Sequence, residues 1–234
     1  MKTIALIITI MLALNLGAAS ADNFTPLRFK NTEVAPPKNP IMKVVMVHGF
    51  LETGTNFKKM KDHLHKHQIA CQIIKLKPSD GRGGLDKLAK DLKQQINSHY
   101  GDDCKIAVIG FSMGGLVSRY YLQELGGASR CESLITISSP HHGTNVAYLY
   151  PSKGVKQMRP GSNFLKVLKK SEDQLSDIPV VSYRTPLDLV ILPSKNSDWK
   201  RAENVKYNII LHPMMLTSRK VIHDIRERLV DTAS

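Results

Sequence analysis

Three short runs limit what this 234-residue chain can fold into: VVMV at 44–47, IAVIG at 106–110 and LITIS at 134–138. Each is uncharged, rich in β-branched residues and lacks the in–out alternation of a strand with one wet face, so each predicts a strand buried on both sides. Between them lie stretches of helical period. The predicted strands are 43–47, 72–75, 105–109, 133–137, 180–183 and 206–211; the predicted helices are 55–67, 85–99, 113–124, 163–168 and 219–229. Strand and helix in regular alternation predict one α/β domain, a mostly parallel sheet covered by helices on both faces. The expected organisation is a signal peptide at 1–21, an extended lead-in at 22–40 containing APPKNP, and the domain at 41–234. Residues 1–21 combine an early lysine, a long apolar stretch and Ala19-Ser20-Ala21, the pattern of a cleaved export signal. The expected location is therefore the periplasm or the medium.

In a parallel sheet, reacting groups gather beyond the carboxyl ends of the strands. Gly110-Phe111-Ser112-Met113-Gly114 falls there, between a buried strand run and a helical one. A chain turning this sharply holds the serine in strained backbone geometry with its hydroxyl projecting, and leaves no room for side chains two residues either way. Serine is a poor nucleophile without a base, and the tetrahedral oxyanion formed by its attack needs positioned N–H donors. The Met113 amide supplies one. The second is expected from VHGF, where Gly49 lets the chain turn tightly and the Phe50 amide faces the same point.

Histidines and acids elsewhere offer partners. His212 ends the apolar run YNIIL and is followed by Pro213, whereas His223 lies inside the last helical stretch. Asp188 follows the strand run PVVSYRT, with Asp198 as the rival acid. His141 and His142, near the same rim, are adjacent in sequence and so point apart, which favours structural or pocket-wall roles. His63 and His67 stand four apart on a predicted helix, among lysines, and read as a solvated face. No cofactor or metal site is legible.

The pieces VHGFLETGTNF, VIGFSMGGLVSRYYL, ISSPHHGT, MRPGSNFLKVL and HPMMLTSRKV, in this order, resemble the small bacterial lipases and esterases of the α/β-hydrolase superfamily. The resemblance implies an α/β-hydrolase fold with minimal or no lid. It also implies Ser112, Asp188 and His212 as nucleophile, acid and base, with Phe50 and Met113 as the oxyanion amides. Two residues depart from the family's pattern: Leu211 precedes the histidine where glycine is usual, and Phe111 precedes the serine where histidine is frequent. Carboxylic esters of lipids or other acyl groups are the implied substrates. Leu116, Tyr148, Leu149, Met214 and Met215 are expected near the acyl chain. Two alternatives stay open: a phospholipase or acyltransferase working at membranes, and a catalytically silent hydrolase fold used for binding.

The formal net charge of +13 favours anionic partners such as a membrane or envelope surface. No nucleic-acid motif accompanies it. Of the three cysteines, Cys104 and Cys131 each precede a strand run. If those strands are neighbours, the two thiols fall at one end of the sheet, within reach of a disulfide, although spacing does not fix connectivity.

Overall fold

The computed structural model describes residues 34–38 and 40–233. The expected signal peptide and most of the lead-in lie outside the described residues. Six parallel strands form one sheet in the order β2-β1-β3-β4-β5-β6. They are β1 (Met42–Val47), β2 (Ile69–Ile74), β3 (Ile106–Phe111), β4 (Cys131–Ile137), β5 (Val180–Arg184) and β6 (Glu203–Lys206). The helices are α1 (Lys58–Lys66), α2 (Leu85–Tyr100), α3 (Met113–Glu124), α4 (Lys153–Gln157), α5 (Asn163–Lys170) and α6 (Arg219–Ala233). This is the parallel α/β sheet that the alternation of strand and helix runs predicts, in the arrangement that the resemblance to α/β-hydrolases implies.

Successive side chains of a strand point to opposite faces, and the core divides accordingly. Val45, Val47, Val108 and Leu134 meet Leu88 and Leu92 of α2 and Leu116 and Val117 of α3. Their neighbours Val44, Met46, Ile109 and Ile135 meet Met60 and Leu64 of α1 and Ile222 and Ile225 of α6. Every residue of β3 is buried, as a strand covered on both sides requires. The helix ends follow local chemistry: Ser162 accepts from the Leu165 amide at the start of α5, and Ser152 from that of Val155 at the start of α4.

Two expectations are corrected. The last strand is not 206–211 but Glu203–Lys206, a short edge strand bearing charges at both ends. Beyond it the chain leaves the sheet, because the Thr185 hydroxyl captures the Ile209 carbonyl and amide at 2.6 and 3.2 Å and Ile210 is thrown into solvent. The second concerns the cysteines. Neighbouring strands β3 and β4 do follow Cys104 and begin with Cys131, but both thiols are free. Cys104 Sγ turns toward β1, accepting from Lys43 Nζ at 3.2 Å, while Cys131 Sγ folds back onto the Ser133 carbonyl at 3.3 Å.

Candidate active site

The tight turn sits where β3 meets α3. Ser112 adopts φ +52° and ψ −122°, a backbone conformation that costs an L-residue energy. It occupies the position before the helix, yet its side chain makes no capping bond and lines the adjacent cavity instead. Its amide donates to the Ile137 carbonyl at 2.9 Å, tying the turn to β4. The glycines are obligatory for steric reasons. A Cβ on Gly110 would lie 2.5 Å from the Gly115 Cα, and one on Gly114 would lie 2.1 Å from the Val47 carbonyl oxygen.

The segment after β1 is held from several directions. His48 Nε2 accepts from the Leu76 amide at 3.0 Å while Nδ1 lies 2.9 Å from the Gly49 carbonyl, a pattern that places the proton on Nδ1. Burial lowers the His48 pKa, outweighing the Gly49 carbonyl and the Glu52 charge that raise it, so the ring is a neutral tether. Glu52, buried, accepts from the Gly49 amide at 2.9 Å and from Asn56 Nδ2 at 2.9 Å. Leu51, at φ +56°, donates to the Ser79 carbonyl at 2.9 Å. Among the described residues, neither the Phe50 nor the Met113 amide donates a hydrogen bond. Glu52 was not singled out from the sequence; a carboxylate three residues beyond a glycine gives no signal until the loop closes on it.

Asp188 and His212 are brought together from two loops. His212 Nδ1 lies 2.7 Å from Asp188 Oδ2, with both side chains almost wholly buried. The other oxygen, Oδ1, accepts from the amides of Val190 and Ile191 at 2.8 and 2.9 Å. Burial by itself would raise the Asp188 pKa. The His212 charge and hydrogen bond and the two amides outweigh it and hold the carboxyl below its usual value. The opposite nitrogen, His212 Nε2, is buried with no hydrogen-bond partner among the described residues. Phe111, beside Ser112, packs its ring 4.7 Å from the imidazole. The residue that departs from the family's usual histidine is thus an apolar rest for His212. Asp198, the rival acid, is bound instead to Arg184 at 2.6 Å, and His223 stands exposed on α6.

A cavity of about 50 Å³ opens beside Ser112. Phe50, Leu149, Tyr150, Val155, Met158 and Ile191 supply much of its apolar wall. Of the residues expected around an acyl chain, Leu149 lines it. Leu116 and Met215 do not: each is consumed by one half of the core. Tyr148 is exposed and stacks beneath Arg159, 4.8 Å from guanidinium carbon to ring, and Met214 is exposed as well; neither lines the cavity. Val155, Met158 and Ile191 went unrecognised, because a wall assembled from three separate segments leaves no local pattern. Between β4 and β5 the chain carries only the short α4 and α5 with single turns between them. Val155, Met158 and Phe164 of this stretch are built into the core, as the expectation of a minimal lid requires.

His141 is buried beneath the same rim. It accepts from Arg119 Nη1 at Nδ1, 3.2 Å away, and so presents Nε2–H to the Thr136 hydroxyl at 3.0 Å. Burial, with Arg119 and His142 adding to it, lowers its pKa well below the usual histidine value. No group of three or more His, Cys, Asp or Glu side chains among the described residues is placed to hold a metal ion.

A parallel sheet with a glycine-flanked serine at the β3–α3 turn, and a His–Asp couple contributed by later loops, defines an α/β-hydrolase. The chain matches the model of the palmitoyl protein thioesterase family over residues 43–174, more than half its length, and belongs to that family. No curated protein sequence matches it. Among solved structures it is similar to the mature lipase BlEst2 of Bacillus licheniformis, at 15% identity and TM-score 0.68 over 84% of this chain and 96% of that one. It is similar also to lipase B of Aspergillus fumigatus, at 16% identity and TM-score 0.66, covering 85% of this chain and 55% of the other. A bromoperoxidase from Bacillus anthracis shares the fold too, at 12% identity and TM-score 0.62 over 82% and 91% of the two chains. At such identities the likeness is one of fold.

Proposed function

We propose that this protein is an exported serine hydrolase that cleaves carboxylic esters of lipids or other acyl groups through an acyl-enzyme on Ser112. The observation that carries the reading is the Asp188–His212 couple, 2.7 Å long and buried, whose free Nε2 has no competing partner. Asp188 keeps the proton on Nδ1, so Nε2 is left as the base. It takes the Ser112 proton as Oγ bonds to the acyl carbon. The carbonyl oxygen becomes an oxyanion, for which the uncommitted amides of Phe50 and Met113 are the donors. Collapse breaks the bond to the leaving alcohol, which takes the proton from Nε2. Water then repeats the sequence, losing a proton to Nε2 and releasing the acid as Ser112 recovers its own. A thioester, the substrate class in the family's name, would follow the same steps with a thiol leaving.

The test is Ser112→Ala assayed on p-nitrophenyl esters, with a fluorophosphonate probe on the unmodified protein. A loss of about 10³-fold or more is expected, since a nucleophile and its base act as a unit. Unchanged turnover by the variant would refute the reading. A wild-type protein that stays unlabelled would favour the catalytically silent alternative.

One observation favours a substrate presented at a lipid surface. Leu187, Leu189 and Leu192 on the Asp188 loop, and Ile210 and Met214 beside His212, are exposed large apolar side chains. Exposed apolar side chains gathered on the two segments that carry Asp188 and His212 are characteristic of an interaction surface. Faster hydrolysis of phospholipid vesicles than of triacylglycerol emulsions would support the phospholipase form of the reading, and no preference would remove it. Export rests on residues 1–21, and N-terminal sequencing of the mature protein should begin at Asp22.

A further inference from the structure

We propose that a second cavity, behind the His141–His142 turn, is a binding site for a phosphate-bearing anion. It measures about 290 Å³, far beyond the ~10–15 Å³ that one water needs. Pro140 and Thr144 of this turn line the cavity at Ser112, while His141 and His142 line the second one. The two cavities therefore lie on either side of one loop.

The charges around it do not balance. Arg119, 2% exposed, is at its wall, and Lys166, Lys169 and Lys200 complete the rim. Glu172 is the single carboxylate lining it. Its Oε1 accepts from Arg119 at 3.1 Å and from the Trp199 indole N–H at 2.7 Å. The three lysines take part in no ion pair among the described residues. An arginine carries five N–H donors. Four of those on Arg119 are used, by Gln123, His141, the Leu168 carbonyl and Glu172, which leaves one on Nη1 uncommitted. Burial, partly offset by Glu172, lowers the Arg119 pKa to about 10, so the guanidinium remains charged at neutral pH. A buried cation with a spare donor, ringed by unpaired ammonium groups, suits a compact multivalent oxyanion. Phosphate, free or on a lipid headgroup, has that chemistry.

The molecule carries its own reporter. Trp199 is the single tryptophan of the chain, lines this cavity, and lies 3.9 Å from the Arg119 guanidinium. Intact protein would be titrated with inorganic phosphate at constant ionic strength, with chloride as the balance, while Trp199 emission is followed. The expected result is a saturable change with phosphate and none with chloride. A triple variant, Lys166→Ala with Lys169→Ala and Lys200→Ala, should weaken the apparent affinity at least tenfold with its melting temperature unchanged, because all three side chains are exposed. A response no larger than that of chloride, or one unaltered in the triple variant, overturns the proposal. A second arm identifies the source: tighter binding of sn-glycerol 3-phosphate than of phosphate assigns the site to a headgroup, and the reverse to the free ion. Because the readout is binding, Ser112→Ala should respond as wild type. The inference therefore stands or falls apart from the hydrolase reading.

Discussion

Gly114→Ala puts the geometry at the serine to a quantitative test. The new methyl would lie 2.1 Å from the Val47 carbonyl oxygen and 2.6 Å from that of His48, where ordinary contact begins near 3.4 Å. Both obstacles are backbone of β1 and its end, so no side chain can swing aside. The start of α3 and the end of β1 must separate by about 1.3 Å, the difference between 3.4 and 2.1 Å. Ser112 and the Met113 amide sit on one side of that gap and the Phe50 amide on the other. A misplacement of ~1 Å costs on the order of 10²-fold in rate, so kcat/KM on p-nitrophenyl butyrate should fall about a hundredfold. Overpacking should also cost about 1–3 kcal/mol. At roughly 2–4 °C per kcal/mol for a domain of this size, the melting temperature should drop by between about 2 and 12 °C. Gly83→Ala is the control, since its methyl would meet only the flexible Lys87 side chain, at 3.5 Å. If Gly114→Ala keeps kcat/KM within about threefold of wild type while Gly83→Ala is silent, the two amides and the serine are not the coupled unit described here.

Asp188→Asn would set an amide N–H against His212 Nδ1 and favour the wrong tautomer, so kcat should fall by about 10⁴ with the fold intact; a loss under tenfold would remove Asp188 from its role. The same carboxyl gives a pH signature. Its folded pKa is lowered, so its contribution to stability is present above the unfolded value near 3.9 and is lost as pH falls through the folded value. Melting curves below pH 4 should show the wild-type advantage over the variant shrinking. Glu52→Ala strips the Gly49 amide of its acceptor; kcat should fall, toward the 10²–10³ that loss of one oxyanion donor costs, with KM little changed. A rise in KM alone would show that Glu52 does not position the Phe50 amide. Thiol titration in denaturant should return three free groups with or without prior reduction. One free group before reduction would mean that a disulfide forms after all.

The sheet was legible from the sequence because its signals are short-range. VVMV, IAVIG and LITIS are uncharged runs that read as strands buried on both sides, and Gly110 records a clash with Gly115 in the same turn, whereas the clash at Gly114 is with the distant Val47 and His48 carbonyls. The edge of the sheet was less legible. The apolar run 206–211 has the residues of a strand, yet a single hydroxyl on Thr185 draws Ile209 off the ladder. The strand falls instead on the charged segment before it, which periodicity does not mark.

What the chain's own pattern determined, then, is the parallel α/β frame and the presentation of one serine at the carboxyl end of its central strand. Only the tertiary structure decided which acid holds His212, where the two cysteine sulfurs point, and that Glu52 braces the loop before Phe50. It also decided that Arg119, three lysines and Trp199 meet around one cavity. The physical reason is range: apolar period and the crowding of Gly110 against Gly115 act over a few residues. A buried ion pair or a cavity depends on where separate loops come to rest, and that is fixed by the packing of the whole domain.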